Sequence, residues 1–271
     1  AAAHSLFLST CLLVTIKAEV SKHALSLGIV IFLWYLLSNW QNSPYFPKLS
    51  EISSAFTSLA QEGDIEGVFL SEHIWASLLR IFAGFGAACI VGIPLGLAMG
   101  LWPKLYYRTR SVIEPIRFIP PLAWIPIAIV FMVGFQRYVF LIWLGAFFPI
   151  LVTTLLSVTR VDPVHVNVAK VFGASRLYII RKIVLPSVAP DIATGMRVGL
   201  GIAWMCILAA EMIGGEMVGV GRLILKYAEL LRMSEILVGM MIIGFIGFIM
   251  NEIFIMVENY IFRWRSEVSI D

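Results

Sequence analysis

The chain has 271 residues, of which 60% are hydrophobic and only 14% are charged, and its formal net charge is +3. A soluble domain carries about 25% charged residues, so much of this surface is expected to face something other than water. The small net charge gives no reason to expect a nucleic acid as partner. The composition and length indicate an all-α membrane protein of about five to seven spans.

Apolar windows predict six transmembrane helices within a single domain that covers residues 1–271. Residues 1–22 precede them, and their one apolar run is too short to cross a bilayer. We expect this segment to lie in the cytoplasm or along the interface, and it shows no cleavable signal peptide. The six-helix core covers residues 24–262, with a cytoplasmic loop at 159–190. The predicted spans are 24–40, 74–99, 116–133, 139–158, 192–213 and 236–262.

The distribution of lysine and arginine predicts the orientation of these spans. Basic residues concentrate before span one, after span six, and in the loops that follow spans two and four. The loop between spans one and two is acidic instead. Both termini are therefore expected in the cytoplasm of a cell (inner) membrane protein. The basic residues on the inner side are Lys17, Lys22, Lys104, Arg108, Arg110, Arg117, Arg160, Lys170, Arg176, Arg181, Lys182, Arg197, Arg263 and Arg265.

Span two carries a small residue at every fourth position, which makes one side of the helix smooth. Small residues at this spacing let another helix approach closely, so the stripe predicts an interhelical contact without indicating the partner. Prolines inside spans two, three and four are expected to kink them. The stripe consists of Gly84, Ala88, Gly92, Gly96 and Gly100, and the prolines are Pro94, Pro126 and Pro149.

The loop between spans four and five predicts a helix, a glycine turn and a second helix. Asp162 followed by Pro163 is typical of a helix N-terminus, and Gly173 suits the left-handed residue that ends a helix. Ser175 can cap a second helix, which is expected to stop at Pro186. The first helix has an apolar face that needs a covering partner. The alternative is an ordinary loop helix on the bilayer surface.

Placing an ionisable residue within a span costs about 2.5–3.5 kcal/mol of insertion free energy, so each such residue is expected to have a structural or functional role. Arg80 and Glu211 lie at similar depth near the outer ends of spans two and five. Arg80 either lines the solute pathway and attracts an anion, forms a structural pair with Glu211, or extends to the outer interface. Arg197 and Glu252 are interpreted as packing or interface charges rather than pathway residues. Glu211 and Trp204 are also pathway candidates, although helix packing is the ordinary role of a residue such as Trp204.

No motif for catalysis is present, and the sequence predicts a transport role rather than an enzyme. The four histidines stand apart from other metal ligands, and the three cysteines occur singly in apolar runs. We therefore expect no metal site and no cofactor in this chain. No G-x4-G-K-[ST] phosphate loop occurs, so energy for transport must come from a partner or from an ion gradient.

The loop and the spans around it resemble the permease subunits of binding-protein-dependent ABC importers. A G-x9-I-x-L-P pattern runs from Gly173 to Pro186 and matches the end of the family's loop signature. Its start departs, since NVA at 167–169 stands where the family usually has Glu-Ala-Ala. The runs EPIRFIPPLAWIPI at 114–127 and TGMRVGLGIAWMCILAAEMIGG at 194–215 are similar to the nitrate, sulfonate, taurine and bicarbonate branch.

This resemblance implies a type I importer architecture, with two copies of the permease, two ATPase subunits or domains that bind ATP and Mg²⁺, and an external solute-binding protein. It also implies inward transport of a small anion, such as a sulfonate, taurine, nitrate or bicarbonate, by alternating access. In that family the loop helix is the coupling helix, which docks on the ATPase. Carried over to this sequence, the docking residues are Pro163, Asn167, Val168, Ala169, Lys170, Phe172, Gly173, Arg176, Leu185 and Pro186.

The main alternative is a stand-alone secondary transporter driven by an ion gradient. It would predict an internal repeat with interrupted helices at corresponding places in two halves, and the sequence shows no such repeat. A membrane-embedded hydrolase would need a set of catalytic side chains at one depth within the spans, which the sequence also lacks.

Overall fold

The computed structural model describes residues 25, 26, 28–41, 43 and 45–263, and this part of the chain is helical, without a strand. The predicted N-terminal segment 1–22 and residues 264–271 lie outside it. The elements are α1 (28–41), α2 (Leu49–Gln61), α3 (Leu70–Leu101), α4 (Pro103–Arg117), a 3₁₀ turn (Pro121–Trp124), α5 (Ile125–Phe131), α6 (Phe135–Thr159), α7 (Pro163–Val171), α8 (Arg176–Ile179), a π turn (Ile180–Val184), α9 (Leu185–Ile213), α10 (Val220–Glu229) and α11 (Met233–Ile261).

Four helices in the described residues are long and apolar enough to cross a membrane. They are α3, α6, α11 and the continuous helix Arg176–Ile213, which comprises α8, the π turn and α9. The pair formed by α4 and α5, bent by 85°, can supply a fifth crossing. The first predicted span is helical over residues 28–41, and its start lies outside the described residues. The all-α membrane fold is thus confirmed, and the count of six spans stays a prediction.

The third predicted span, residues 116–133, is not one continuous helix. Helix α4 ends at Arg117, and α5 has only seven residues. Pro120 and Pro121 explain the break, because proline lacks a backbone N–H and disfavours helical conformation in the residue before it. The kink expected at Pro126 is therefore misplaced, since this proline lies in the first turn of α5, where proline is tolerated.

The small-residue stripe of α3 packs against α6. A Cβ atom added to Gly84 would lie 2.6 Å from the Cβ atom of Ile142, and one added to Gly100 would lie 2.5 Å from the Cβ atom of Val158. Only glycine allows the two helices to approach this closely. The predicted interhelical contact is confirmed, and α6 is the partner.

The same contacts show that α3 and α6 run in the same direction, because residue numbers increase together along both helices. Gly84 and Gly100 are about 24 Å apart at 1.5 Å per residue. The connecting segment, residues 102–134, must therefore return along the bundle over at least this distance. Helices α4 and α5 supply the return, so the bent pair makes one crossing of the bundle.

Helix α9 packs against α6 in the opposite direction. A Cβ atom added to Gly195 would lie 2.7 Å from the Cβ atom of Thr153, and one added to Gly145 would lie 2.6 Å from the Sγ atom of Cys206. Packed on both α3 and α9, helix α6 is the most buried of the four spanning helices. It therefore forms the centre of the bundle.

Helix α11 runs antiparallel to α9 at the edge of the bundle. Gly247 lies beside Trp204, and the Nη1 atom of Arg197 lies 3.8 Å from the Oε2 atom of Glu258. This ion pair agrees with the interpretation of Arg197 as a packing charge. Most of the α11 surface is exposed, which suits a helix that faces lipid or another subunit.

Helices α2 and α10 close one end of the bundle, where α3 and α11 begin and α9 ends. Ile52, Leu59, Leu223, Tyr227 and Val238 belong to a separate buried cluster at this end. The sequence assigns this end to the outer side of the membrane. We call it the outer end, and we call the opposite end, which carries α7, the loop end.

The second loop helix does not stop at Pro186, contrary to the expectation from the sequence. Helix α8 continues through the π turn into α9 as one helix that reaches Ile213. A π turn interrupts the regular i to i−4 pattern and widens the helix, so a proline at its end displaces fewer backbone hydrogen bonds.

Candidate functional sites

The loop helix α7 begins as the sequence predicts. The carboxylate of Asp162 accepts a hydrogen bond from the N–H of Val164 at 2.8 Å, and Pro163 occupies the first turn. Both features favour a helix start. No residue of α7 is buried, and the side chains of Val171 and Phe172 at its end are 84% and 85% exposed.

Gly173 makes the turn after α7. Its φ is +78°, and its N–H donates to the carbonyl oxygen of Lys170 at 2.9 Å. This is the left-handed conformation that ends many helices. The Oγ atom of Ser175 then accepts a hydrogen bond from the N–H of Tyr178 at 3.3 Å and begins α8. The predicted helix, glycine turn and second helix start are confirmed.

One face of α7 is anchored to the bundle. Val166 and Ala169 pack against a buried cluster that includes Val158 of α6. The guanidinium of Arg176 lies 5.8 Å from the centre of the Trp102 ring, a contact that ties the loop to the end of α3. The loop is therefore held against the ends of the spanning helices rather than extended away from them.

The predicted coupling residues come together around this loop. They line two open grooves, of about 1300 and 580 Å³. Leu185 is half-buried in the helix between them. The larger groove is lined by Val168, Ala169, Phe172, Gly173 and Pro186, and the smaller one by Pro163, Asn167, Lys170 and Arg176.

Near the outer end, Arg80 of α3 and Glu211 of α9 form a buried ion pair. The Nη1 atom of Arg80 lies 2.7 Å from the Oε1 atom of Glu211, and the two residues are 7% and 0% exposed. Glu211 also accepts hydrogen bonds from the hydroxyl of Ser77 and from the N–H of Gly221. Arg80 also donates to the carbonyl oxygen of Val218 at 2.8 Å. The pair considered in the sequence analysis is therefore formed.

This pair holds the loop between α9 and α10 in place. A Cβ atom added to Gly219 would lie 2.5 Å from the carboxylate carbon of Glu211, so the backbone passes directly over the carboxylate. The ring of Tyr138 covers the guanidinium of Arg80 at 4.3 Å. The arginine is thus enclosed by a carboxylate, a carbonyl and an aromatic ring.

A second polar cluster lies beside the ion pair, and the sequence analysis did not predict it. Lys226 of α10 contacts the carboxylates of Asp64 and Glu66, the latter at 2.6 Å. The Nδ1 atom of His73 accepts a hydrogen bond from the N–H of Gly219 at 3.0 Å, and its Nε2 atom lies 3.3 Å from Asp64. Asp64 and Lys226 are 162 positions apart, so no local pattern indicates their contact.

The cluster stabilises the charged forms of Asp64 and Lys226. Burial raises the pKa of Asp64, but hydrogen bonds from Lys226 and from the N–H groups of Val68 and Glu66 lower it by more, and the pKa lies below the usual 3.8. Burial lowers the pKa of Lys226, but its hydrogen bonds to both carboxylates raise it above the usual 10.5. The ion pair therefore persists at neutral pH and ties α10 to the segment before α3.

Trp204 is a residue of α9, and its side chain lies against α11. A Cβ atom added to Gly247 would lie 3.1 Å from its Nε1 atom. Together with Arg197 and Asn251 it lines a cavity of about 80 Å³, well below the 300 Å³ or more of ordinary ligand sites. This position suits helix packing, and a pathway role for Trp204 stays a prediction.

The bundle of spanning helices with an exposed loop helix at one end is that of a membrane transport subunit. The family described as binding-protein-dependent transport system inner membrane component matches residues 92–264, more than half of the chain. The chain belongs to this family. It is a permease subunit of an ABC importer, which works with an ATPase and a solute-binding protein, and it is a transport component rather than an enzyme.

Relatives with curated descriptions support the same class. A putative ABC transporter permease protein from Methanocaldococcus jannaschii is 35% identical over 93% of this chain and 96% of its own length. The taurine transport system permease protein of Escherichia coli is 31% identical over 94% and 93%. The nitrate import permease protein of Synechocystis is 29% identical over 90% of both chains.

The fold is also found in a solved transporter. A chain of the MetNI methionine ABC transporter, in its inward-facing conformation, matches 70% of this chain and 95% of its own length, with a TM-score of 0.63. Identity is 16%, so this similarity concerns the fold alone. It agrees with the predicted type I importer architecture.

Proposed function

We propose that this permease carries a small oxyanion inward, and that ATP hydrolysis on a partner ATPase drives it through α7. Permeases for taurine, nitrate and bicarbonate are among its relatives. These solutes share a compact anionic group with several equivalent oxygen atoms. The chain carries no phosphate loop for ATP, which agrees with a separate ATPase.

The observation that carries the coupling proposal is the exposed apolar surface of α7. Val164, Val168, Val171 and Phe172 are all exposed at the loop end, where a soluble partner can reach them. Apolar side chains grouped in this way mark a contact surface. Helix α7 follows directly after α6, and α8 leads directly into α9. A movement of α7 is therefore passed to two of the central spanning helices.

We further propose that the loop end faces the cytoplasm, with both termini on that side, and that the solute-binding protein meets the outer end. The concentration of basic residues at the loop end supports this orientation. We propose that two copies of the permease pair in the membrane, with their loop helices facing two ATPase subunits. The extensive exposed surface of α11 leaves room for contact with lipid or with the second copy.

The coupling proposal is tested by Gly173→Val. A Cβ atom at Gly173 meets no atom of the described residues within 4 Å, so the variant introduces no clash with them. It forces a β-branched residue into a left-handed conformation, which costs about 1–2 kcal/mol or more and favours a different turn. We expect a folded, membrane-inserted permease from which the ATPase dissociates, or which the ATPase no longer drives. The measurements are ATPase co-purification, and uptake and hydrolysis in proteoliposomes that contain the solute-binding protein.

The matched control is Gly67→Val at the outer end. Gly67 has a φ of +79° and equally free space around its Cβ position, so the backbone strain is the same. We expect this variant to retain its ATPase. Full uptake and a stoichiometric ATPase with Gly173→Val would show that α7 is not the coupling element.

A further inference from the structure

The break between α4 and α5 places a partly exposed arginine near the middle of the length of the bundle. A cavity of about 380 Å³ lies between this break and α6, with Arg117 and Phe118 on one wall and Gly145, Pro149 and Ile202 among the residues of the other walls. Gly145 and Pro149 lie on either side of the midpoint of α6 (Phe135–Thr159). The cavity is therefore near the middle of the membrane-spanning bundle. Arg117 is not in a surface loop at the loop end, where the sequence analysis placed it.

The guanidinium of Arg117 has N–H donors that make no hydrogen bond within the described residues. Its Nε atom lies 3.0 Å from the Oε2 atom of Glu114, and the Phe118 ring lies 5.0 Å from its central carbon. Within the described part of the chain, neither of its terminal nitrogens donates a hydrogen bond, and its side chain is 31% exposed. An arginine has five N–H donors, and leaving them unused in the interior of a membrane is costly.

Arg80, which the spanning helices enclose, differs from Arg117 because its guanidinium already has hydrogen-bond partners. It is 7% exposed, and its Nη1 atom is shared between Glu211 and the carbonyl oxygen of Val218. Its burial leaves little of the guanidinium surface for a solute to reach. Arg117 can receive an oxyanion on its terminal nitrogens while it stays beside Glu114, because its contact with Glu114 at 3.0 Å is made through Nε.

We propose that Arg117 binds the transported oxyanion in this central cavity, as a transient site on the pathway. The proposal rests on the proposed import of a small oxyanion. Two terminal N–H groups of a guanidinium match two oxygen atoms of a nitrate, bicarbonate or sulfonate group. Interrupted helices at the middle of the membrane are a common setting for transporter sites, and 380 Å³ is ample for such a solute. Glu114 neutralises the arginine when the site is empty.

The first test measures the local charge without requiring transport. Ile119, which also lines the cavity and is 41% exposed, is changed to cysteine in a permease whose native cysteines are replaced by alanine. The full complex is labelled with a negatively charged thiosulfonate reagent, which carries a sulfonate, and with a positively charged one, which carries a trimethylammonium group. The ratio of the first labelling rate to the second should be higher when Arg117 is present than in Arg117→Gln. A unit charge a few ångströms away changes this ratio by about tenfold even in water. Arg117→Lys should keep the ratio.

The control is Arg108→Gln, which removes an equal charge from the opposite side of α4, nine residues earlier. It should leave the reagent ratio unchanged. Sodium nitrate at millimolar concentration should slow labelling of the cysteine when Arg117 is present, and should have no effect in Arg117→Gln. An unchanged reagent ratio in Arg117→Gln would overturn the proposal.

The second test measures uptake of taurine, nitrate and bicarbonate in proteoliposomes with ATPase and a saturating binding protein. We expect Arg117→Gln to lower uptake of the transported anion at least tenfold while basal ATP hydrolysis persists. Arg117→Lys, which keeps the charge but loses the planar fork, should be intermediate. Undiminished uptake in Arg117→Gln would refute the proposed site but not the proposed import of an oxyanion. Uptake of none of the three anions by the unmodified complex would refute the proposed solute class, and the labelling ratio would still decide whether Arg117 attracts anions.

Discussion

Removing one charge of the Arg80–Glu211 pair should destabilise the protein more than removing both. In Arg80→Gln the carboxylate of Glu211 stays fully buried and loses its closest cation, which lies at 2.7 Å. Among the residues that the structure describes, only the hydroxyl of Ser77 and the N–H of Gly221 remain as its donors. Breaking a buried pair by removing one partner costs about 3–5 kcal/mol, because the other charge is left uncompensated.

A loss of this size is a large part of the roughly 5–15 kcal/mol that holds a protein domain folded. It lowers the ratio of folded to unfolded protein by a factor of 100 or more, since about 1.4 kcal/mol is tenfold. The double variant Arg80→Gln with Glu211→Gln removes the uncompensated charge and leaves two neutral amide side chains. We therefore expect it to recover most of the stability that each single variant loses.

The assay is the yield of monodisperse complex in detergent together with its Tm. Glu252→Gln, which removes an exposed carboxylate from α11, serves as control and should behave like the unmodified protein. Single variants of normal yield and Tm would refute the structural role of the pair. If Arg80→Gln assembles normally but loses uptake, the guanidinium serves the solute pathway, as the sequence also allows.

Two further predictions concern the packing of the bundle and its outer end. Gly96→Leu should prevent assembly, because a Cβ atom there would lie 2.8 Å from a backbone carbonyl of α6. Gly86→Leu should assemble, because a Cβ atom there meets no atom of the described residues within 4 Å. Equal yields of the two variants in detergent would contradict the packing of α3 on α6. The second prediction concerns pH. The contribution of Asp64 to stability is present above its unfolded pKa near 3.8 and is lost as the pH falls below that value. The contribution of Lys226 is present below its unfolded pKa of about 10.5 and is lost as the pH rises through its folded pKa. The Tm difference between the unmodified protein and Asp64→Asn should therefore be constant from about pH 7 to 9, above the range in which the neighbouring His73 can titrate, and should shrink at strongly acidic and strongly alkaline pH. A difference that varies between about pH 7 and 9 would count against the ion pair.

Local features of the sequence predict the loop correctly where the interacting groups are close in the chain. The cap of α7 joins Asp162 to a residue two positions away, and the turn at Gly173 follows from a backbone conformation that glycine adopts easily. The same reasoning fails at Pro186, because whether a proline ends a helix depends on the turn before it. The sequence shows the proline but not the π turn that accommodates it.

The sequence by itself determined that this is an α-helical membrane protein with a helical loop, because hydrophobic span length, basic loops and the spacing of small residues act within each segment. Its motifs also resemble those of ABC importer permeases. Only the tertiary structure decided which helix receives the stripe of α3, that Asp64 meets Lys226, and that Arg117 lies at the middle of the bundle. The physical reason is that these contacts join segments far apart in the chain. They depend on the direction and depth at which whole helices pack, which no local pattern of residues encodes.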